Sequence, residues 1–389
     1  MVDSAAETKK RPRVLRRILV LVGSVVGVLV VAVAAMLGSF VVVGWQSASE
    51  QTARFETRSA EVAALSQAER DAWVETTGDA SVTDELAYNE LQVIATHNSY
   101  ALPPNWLQTQ IIDLVEPGQG ATLQYSHAPL WDQLDAGIRS MEIDVRWNGD
   151  TFSVSHVPLV ANRSTMPDFA LGLREIALWS DAHPAHLPIS IMIEPKNDYM
   201  FLDPSLKEFD AAACDALDAV IVDAIGPRLF TPAEVLGDAP NLRAAVADGG
   251  TGWPSIGEMR GKVLFFYADS EGAREACVEG GAEASTRAIF ASSRTGVDDA
   301  VFAVRDDPRD AATAADLAAG MIVRVRADAD LATSAAERDV ALATGAAIQK
   351  GRPMNSALVR PSVTNAPSII RSPWAKLTAS VALYISTKP

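Results

Sequence analysis

The sequence predicts a single, distorted (β/α) barrel of the TIM type, preceded by one transmembrane helix. Three observations support this fold class. An uncharged apolar run occupies residues 18–43, short strand-like runs alternate with helical segments from residue 85 onward, and no glycine-proline linker interrupts that alternation. Strands separated by helices pair in parallel, and an alternation of this length fits one barrel better than two domains.

The composition is that of a globular protein and argues against nucleic acid as a partner. Hydrophobic residues make up 48% and charged residues 21% of the 389 residues, and the net charge is −16. A nucleic-acid-binding protein needs a basic surface, which this balance does not supply. Residues 1–44 carry six cations and two anions, so they are net +4 and the remainder is net −20.

The apolar run, ILVLVGSVVGVLVVAVAAMLGSFVVV, exceeds the ~20 residues that cross a bilayer as a helix. The apolar core of a cleaved signal is usually only about 7–15 residues. Residues 1–17 hold a basic cluster that should stay in the cytoplasm, which directs the following domain outside. We predict an uncleaved, single-pass signal anchor at residues 18–44 of a cell-membrane protein. A long cleaved signal is the first alternative, and a buried helix of a soluble protein is the second.

Residues 45–84 are predicted to form an extracytoplasmic stalk or a peripheral helix. The segment SAEVAALSQAERDAWVE has partial helical periodicity, and residues 85–389 are assigned to the barrel. The only cysteines are Cys214 and Cys277. A disulfide is chemically permitted outside the cytoplasm, but two cysteines do not make a disulfide framework, so we expect two separate buried thiols.

Short runs with β-like composition recur along the barrel region, bounded by turn residues. The candidate strands are Leu91–Ala95, Ile138–Val145, Pro188–Ile193, Lys262–Tyr267, Ala288–Ala291, Met321–Arg326 and Ala346–Gln349, with a hairpin arm at Thr151–Ser155. Helical stretches such as Leu206–Ile225 and Ala332–Thr344 lie between them. Active sites of such barrels form at the carboxyl ends of the strands, so polar residues at those positions are candidates for function.

Several strand ends carry polar residues of matching chemistry. His97 and Asn98 follow the first strand, where an ordinary turn is the simpler interpretation of an isolated pair. Glu142 and Asp144 are two residues apart in SMEIDVRW, so strand alternation places both on one face. Two further strand-end residues complete the set: His156 follows TFSVS, and Glu194 closes PISIMIE.

This set of residues has the chemistry for displacement at a phosphodiester. Oxygen donors from the asparagine and the three carboxylates suit a hard cation such as calcium or magnesium. Buried carboxylates on one face are costly unless a cation or hydrogen-bond donors neutralise them. Two histidines can serve as base and acid at neutral pH, while a metal stabilises charge on the phosphoryl oxygens.

On these residues the chain resembles the bacterial calcium-dependent branch of the phosphatidylinositol-specific phospholipase C superfamily, from Leu91 to about Gly351. The motifs that carry the resemblance are THNSY, HAPLWDQLDAGIRSMEIDV, HLPISIMIEPK, WPSIGEMRGKVLFF and GMIVRVRADAD. The resemblance implies calcium-dependent cleavage of an inositol phospholipid to diacylglycerol and a cyclic or simple inositol phosphate. It also implies a catalytic pair, His97 and His156, and four Ca2+ ligands: Asn98, Glu142, Asp144 and Glu194.

Two alternatives remain open. A glycerophosphodiester phosphodiesterase has similar motifs, but its first histidine is usually followed by Arg-Gly, whereas Asn98-Ser99 follows here. An anchored barrel that only binds inositol phosphates is the second alternative. It is motivated by GAAIQKGRPMNS, which departs from the family pattern at the eighth strand. The sequence does not indicate an oligomeric state.

Several neighbouring residues carry weaker signals. Lys196 is predicted to contact the phosphate or head group, with a salt bridge to a ligand carboxylate as the alternative. Arg324, Arg326 and Asp328 occupy alternate positions near the end of a strand. Arg324 and Arg326 are also predicted to bind substrate, with ion pairing inside the barrel as the alternative. His127, in a loop that enters a helix, is predicted to be structural. His183 and His186 precede a strand at its end opposite the site, and they are predicted to be either structural or exposed at the surface.

Overall fold

The structure, a computed structural model, describes residues 11–70, 79–268, 276–277, 284–291, 298–326, 335–346 and 348–351. The strands in these ranges are β1 (Val93–Thr96), β2 (Ser140–Trp147), β3 (Phe152–Val154), β4 (Ile189–Pro195), β5 (Val263–Tyr267), β6 (Ile289–Phe290), β7 (Phe302–Arg305), β8 (Ile322–Arg326) and β9 (Ile348–Gly351). The helices are α1 (Arg11–Ala64), α2 (Trp106–Val115), α3 (Gln119–Thr122), α4 (Leu130–Asp135), α5 (Phe169–Ala182), α6 (Ala211–Ile225), α7 (Pro232–Leu236), α8 (Leu242–Val246), α9 (Ile256–Met259), α10 (Ala311–Ala318) and α11 (Ala335–Ala343).

Eight of the strands form one parallel sheet in the order β6-β5-β4-β2-β1-β9-β8-β7, and β3 pairs antiparallel with β2. Apart from β3, this is the neighbour order of a (β/α) barrel. In the described ranges, however, no pairing joins β6 to β7, so the sheet is not closed and a complete barrel is not confirmed. Aromatic side chains lie at the opening: the rings of Phe290 and Phe302 are 5.3 Å apart, and Phe302 stacks on Phe266 at 4.5 Å.

Strand alternation in β2 separates the apolar core from the site. Ile143 and Val145 point outward into a cluster with residues of α5 and α6, such as Phe169 and Leu217. Helices α5 and α6 therefore cover the outer face of the sheet. The opposite face of β2 carries Glu142, Asp144 and the next residue in the alternation, Arg146, all of which are buried.

All of the predicted strands, including the hairpin arm, are present with boundaries shifted by at most two residues. The strand β7, Phe302–Arg305, was not predicted. It is four residues long and is followed at once by the charged run DDPRD, so it gives little periodic signal. The predicted eighth strand is β9, and the part of its motif beyond residue 351 lies outside the described residues.

Helix α1 runs without interruption from Arg11 to Ala64. Its apolar part has a mean hydropathy of 3.0, and α1 is the helix in the described residues that is long and apolar enough to span a membrane. Such a helix fits either an anchor or a signal sequence. The segment predicted as a stalk is therefore helical as far as residue 64, and several of its side chains contact the rest of the protein.

Cys214 on α6 and Cys277 form a disulfide, so the expectation of two separate thiols was wrong. Both residues are fully buried, which is what the sequence indicated. The two cysteines are 63 residues apart in the sequence, so their pairing requires the segment that carries Cys277 to lie against α6. No spacing rule predicts such a contact. The disulfide fits an oxidising compartment.

Candidate active site

The site is built at the carboxyl ends of three neighbouring strands. In the ladder between β2 and β4, Asp144 is directly opposite Glu194. Strand β1 ends at Thr96, whose register partner on β2 is Met141, so His97 and Asn98 emerge next to Glu142. Residues as far apart in the sequence as His97 and Glu194 are thus brought to one edge of the sheet by its parallel register.

Glu142, Asp144 and Glu194 form an acidic cluster. Each offers a carboxylate oxygen, and these oxygens all lie within 4.8 Å of one another. Glu142 and Asp144 are buried, with relative exposures of 2% and 0%, while Glu194 is partly exposed. Three carboxylates so close together repel one another unless positive charge is nearby.

Two cations from the chain itself contact this cluster. Lys196 Nζ lies 2.5 Å from Glu194 Oε1 and 3.4 Å from Asp144 Oδ2. Arg324 Nη2 donates to Glu142 Oε2, and both side chains are buried. Lys196 and Arg324, both predicted to bind substrate, are therefore ion-paired with predicted metal ligands, as their alternative interpretations anticipated.

Burial dominates the ionisation of the cluster. It raises the pKa of Asp144 to about 6, with Lys196 opposing the shift and Glu142 adding to it. Burial and the charge of Asp144 also raise the pKa of Glu194. Burial acts to lower the pKa of Lys196, but the carboxylates of Asp144 and Glu194 outweigh it, so that pKa is raised. The carboxylates are held where their charge is poorly compensated, which is the condition that cation binding relieves.

The polar atoms in the site support a hard-cation ligand set. Both carboxylate oxygens of Asp144 and the amide oxygen of Asn98 are buried and accept no well-formed hydrogen bond, although Lys196 Nζ lies 3.4 Å from Asp144 Oδ2. Buried oxygens are normally hydrogen-bonded, so oxygens left over beside an acidic cluster suit metal coordination. The donors are all oxygen, as calcium prefers, and the acidic cluster could hold such an ion.

Asn98 is held in an unusual backbone conformation, with φ of 45°. Asparagine is among the few residues other than glycine that tolerate this left-handed region. Its Nδ2 donates to the hydroxyl of Tyr125 at 2.9 Å, which fixes the direction of the amide. The next residue, Ser99, bonds the backbone of Glu142 in both directions at 2.9 Å, so this turn is joined to β2.

His97 lies beside the acidic cluster, with its Nε2 3.5 Å from Glu142 Oε1. Its ring stacks against that of Tyr125 with centroids 6.1 Å apart. His127 Nε2 donates to the backbone carbonyl of His97 at 2.8 Å. Burial lowers the pKa of His127 to about 4, so it is neutral at pH 7, and the structural role expected for it stays a prediction. Sequence reasoning missed Tyr125, because a tyrosine two residues before a histidine is not a pattern that indicates a functional site.

His156 follows β3 and is positioned by Arg146, which sequence reasoning also missed. Arg146 is buried and donates to the carbonyl oxygens of Ser155 at 3.1 Å and His156 at 2.5 Å. It also pairs with Asp198 at 2.7 Å. Burial, assisted by the charge of Lys196, lowers the pKa of His156 to about 4. A signal for Arg146 existed, because it continues the alternation that places Glu142 and Asp144 on the inner face.

The remaining predicted residues lie at the margins of the site or away from it. Arg326 is the last residue of β8 and partly exposed, and Asp328 lies outside the described residues. His183 and His186 are buried beside Trp179, with ring centroids at 4.0 and 5.3 Å from it. They are therefore structural and not exposed.

A family model described as "Phosphoinositide phospholipase C, Ca2+-dependent" matches residues 86–150 and 146–351. The chain belongs to this family. The acidic cluster of this phosphoinositide phospholipase C family member agrees with the calcium dependence that the family description states. Among curated proteins, none matches the chain.

Solved structures of phospholipases C have a similar fold. One is the apo calcium-dependent phosphoinositol-specific phospholipase C of a Gram-negative Pseudomonas sp., with a TM-score of 0.51 and 16% identity over 70% of this chain and 92% of that chain. The myoinositol complex of the Pseudomonas enzyme has a TM-score of 0.51 and 16% identity, over 71% of this chain and 93% of that chain. The Ca2+-dependent phosphatidylinositol-specific phospholipase C of Streptomyces antibioticus has a TM-score of 0.49 and 19% identity, over 68% of this chain and 94% of that chain.

Proposed function

We propose that this family member cleaves phosphatidylinositol-type lipids in a calcium-dependent reaction, giving diacylglycerol and a cyclic or simple inositol phosphate. The observation that carries the proposal is the contact between His97 and the acidic cluster, at 3.5 Å from Glu142. It puts a proton-transferring group next to a site for a hard cation, which is the pairing that phosphodiester displacement needs. The Pseudomonas enzyme of similar fold forms a complex with myoinositol, which supports inositol as the head group.

His97 is the proposed base. It would take the proton from the inositol hydroxyl adjacent to the phosphate as that oxygen attacks phosphorus. The carboxylate of Glu142, within ion-pair distance, would stabilise the imidazolium that forms. The hydrogen bond from His127 to the His97 carbonyl and the stacked ring of Tyr125 would hold the imidazole in place.

His156 is the proposed acid, returning a proton to the diacylglycerol oxygen as its bond to phosphorus breaks. With a pKa of about 4 it is neutral at pH 7 in the structure. An anionic phosphodiester bound beside it would raise that pKa and favour the protonated form. Arg146, which holds the His156 carbonyl, would act as a positioning residue for this step.

Asn98, Glu142, Asp144 and Glu194 are the proposed calcium ligands. When bound there, calcium would stabilise negative charge on the phosphoryl oxygens and acidify the attacking hydroxyl. Lys196, Arg324 and Arg326 are the proposed contacts for the phosphate and head group. The first two already lie against the carboxylates, so they are close enough to the cluster to contact a bound anion.

Residues 18–44 are proposed to anchor the protein by a single pass in the cell membrane, with residues 45–84 and the catalytic domain, residues 85–389, outside the cytoplasm. The disulfide supports this placement, because such bonds persist in oxidising compartments. The neighbour order of the strands supports a distorted barrel as the architecture of the catalytic domain.

The test is lipid turnover by the full-length protein in mixed micelles of phosphatidylinositol and detergent. Release of diacylglycerol and inositol phosphate is measured with calcium and with a chelator. His97→Ala and His156→Ala should each lower kcat by about 10²–10⁴. His183→Gln, in a structural histidine away from the site, is the matched control and should retain turnover.

Near-wild-type turnover by H97A would overturn the assignment of the base. Cleavage of glycerophosphoinositol but not of the acyl-bearing lipid would indicate a glycerophosphodiester phosphodiesterase. Calcium-dependent binding of inositol phosphate without product over a long incubation would indicate a protein that only binds its ligand.

A further inference from the structure

The large apolar side chains that are exposed outside α1 are concentrated at the site end of the sheet. In the described residues these side chains are Trp106, Leu114, Val115, Phe201 and Val222. All but Val222 lie in the segments that follow β1 and β4, and they are 66–85% exposed. We refer to these four as the apolar rim. Clustered exposed apolar groups of this kind indicate a partner surface, in contrast to single scattered ones.

The rim lies at the same end of the sheet as the site because β1 and β4 are parallel strands of one sheet. The segments after them leave the sheet from the same end, where His97 and Glu194 lie. They also touch each other, since the Tyr199 hydroxyl donates to Glu116 at the end of α2. The two parts of the rim therefore belong to one connected surface.

Helix α1 contacts the same surface through the end of its apolar run. Phe40 is fully buried in a cluster with Ile112 of α2 and with Val157 and Val160, which follow His156. The Phe40 carbonyl accepts a hydrogen bond from Asn162 Nδ2 at 3.1 Å. The loop after the proposed acid and the helix that carries most of the rim therefore both meet α1 at this point.

Beyond Phe40, a stripe of side chains fixes α1 to the catalytic domain. Gln51 exchanges two hydrogen bonds of 2.9 Å with the backbone of Asp168. Arg54 pairs with the buried Glu175 at 2.9 Å, and Arg58 pairs with Asp132 at 3.0 Å. Gln51, Arg54, Arg58 and Val62 recur at intervals of three or four residues, which is one face of a helix. We refer to these four residues as the clamp.

The other end of α1 leaves the protein at the rim. Side chains between Leu15 and Val33 are largely exposed, and the apolar window of the helix is 0% buried. Residues 18–38 of a helix span about 30 Å, the thickness of the hydrocarbon layer, so the layer would end close to Phe40. We propose that the apolar rim docks on the bilayer that α1 spans, and that the clamp holds the mouth of the site against it.

The bilayer is the occupant that fits this surface. The chain after residue 44 is net −20, so it gains no attraction to an anionic membrane from its overall charge. Contact must then come from apolar side chains and from the rigid connection to α1. A flexible tether would raise the local concentration without setting an orientation. The inference rests on the anchor in the proposed function.

The test uses the full-length protein reconstituted in phosphatidylcholine vesicles that contain a lipid with a nitroxide at head-group depth. Single cysteines at Leu114→Cys and Phe201→Cys carry a fluorescent label, and Val222→Cys is the matched exposed control on α6. The labels at 114 and 201 should be quenched at least three-fold more than the label at 222. If the protein floats with the vesicles but quenching is equal at the three positions, the proposal that the rim docks on the bilayer is overturned.

The clamp is tested by inserting ten Gly and Ser residues between Gly44 and Trp45 in a Phe40→Ala background, which leaves every clamp side chain in place and removes the apolar contact of α1 on the membrane side of the insertion. Quenching at 114 and 201 should fall toward that of 222, while the protein still floats with the vesicles. Unchanged quenching would overturn the rigid connection. Wild-type protein that does not float with vesicles would overturn the anchor, and this outcome is independent of whether lipid turnover is observed.

Discussion

Glu142 on β2 and Arg324 on β8 form a buried ion pair although β1 and β9 separate their strands in the sheet. In a flat sheet those strands would be about 14 Å apart, with their side chains standing parallel and out of reach. The sheet must therefore curl toward its inner face. The same pair neutralises one of the proposed calcium ligands, so the curvature of the sheet and the electrostatics of the site are linked through these two residues.

Replacing Arg324 by Met should destabilise the metal-free protein. Removing one partner of a buried ion pair costs about 3–5 kcal/mol, because the other charge is left buried and uncompensated. Calcium can compensate the freed Glu142 carboxylate, so it should raise the melting temperature of R324M more than that of the wild type. Thermal unfolding of the full-length protein in detergent, with chelator and with calcium, measures both effects.

The matched control is Arg174→Met. Arg174 pairs with Asp223 at 3.7 Å on the surface, where both side chains are more than half exposed. Its loss should change stability by less than about 1 kcal/mol and leave the response to calcium unchanged. An R324M protein that calcium stabilises no more than the wild type would show that Glu142 does not contact the metal.

Asp144→Asn should stabilise the metal-free protein at pH 7 and remove its response to calcium. The folded-state pKa of Asp144, about 6, is raised above its ordinary value of 3.8 by burial. Its contribution to stability is therefore present below pH 3.8 and lost as the pH rises through 6. The loss amounts to about 3 kcal/mol, which D144N avoids because the amide does not ionise.

Free energies of unfolding between pH 4 and pH 7, measured with chelator, test this expectation for wild type and D144N. The difference between the two proteins should grow with pH, and calcium at pH 7 should stabilise the wild type alone. Glu208→Gln changes an exposed carboxylate and serves as the control. A calcium response in D144N equal to that of the wild type would exclude Asp144 as a ligand.

The parts of the site that lie on single strands were predictable from sequence, and those that depend on curvature were not. Alternation in SMEIDVRW predicted that Glu142 and Asp144 share a face, and the register of β2 and β4 puts Glu194 opposite Asp144. The pairing of Glu142 with Arg324 depends on how far the sheet curls. Periodicity does not encode that curvature, nor does it indicate whether β6 and β7 pair, a pairing that the described residues do not contain.

Contacts that depend on loops returning to the sheet were also beyond sequence reasoning. Arg146 lay on the predicted inner face, but its hold on the carbonyl of His156 depends on the conformation of the loop after β3. The clamp on α1 was similarly hidden. The spacing of Gln51, Arg54 and Arg58 puts them on one face of a helix, but only the structure shows that this face contacts the catalytic domain.

Removing the disulfide with Cys214→Ala and Cys277→Ala together should lower the free energy of unfolding by about 4 kcal/mol. A cross-link restricts the unfolded chain, and the 63-residue separation sets the size of that entropic effect. Urea unfolding of the double variant and of the reduced wild type should give similar losses. A change below about 1 kcal/mol in both would show that the bond contributes little to the folded state.

His186→Gln should weaken the acid sensitivity of the fold. His186 is buried, with its Nε2 2.8 Å from the Ser180 hydroxyl and its Nδ1 2.6 Å from the Leu187 carbonyl. Burial lowers its pKa from 6.5 to about 3, so the folded protein keeps it neutral while the unfolded chain protonates it. Its contribution is complete above pH 6.5 and declines as the pH falls, by about 3 kcal/mol at pH 4. Free energies of unfolding across this range should therefore fall less steeply for H186Q than for the wild type. Parallel curves for the two proteins would show that His186 does not bind a proton on unfolding.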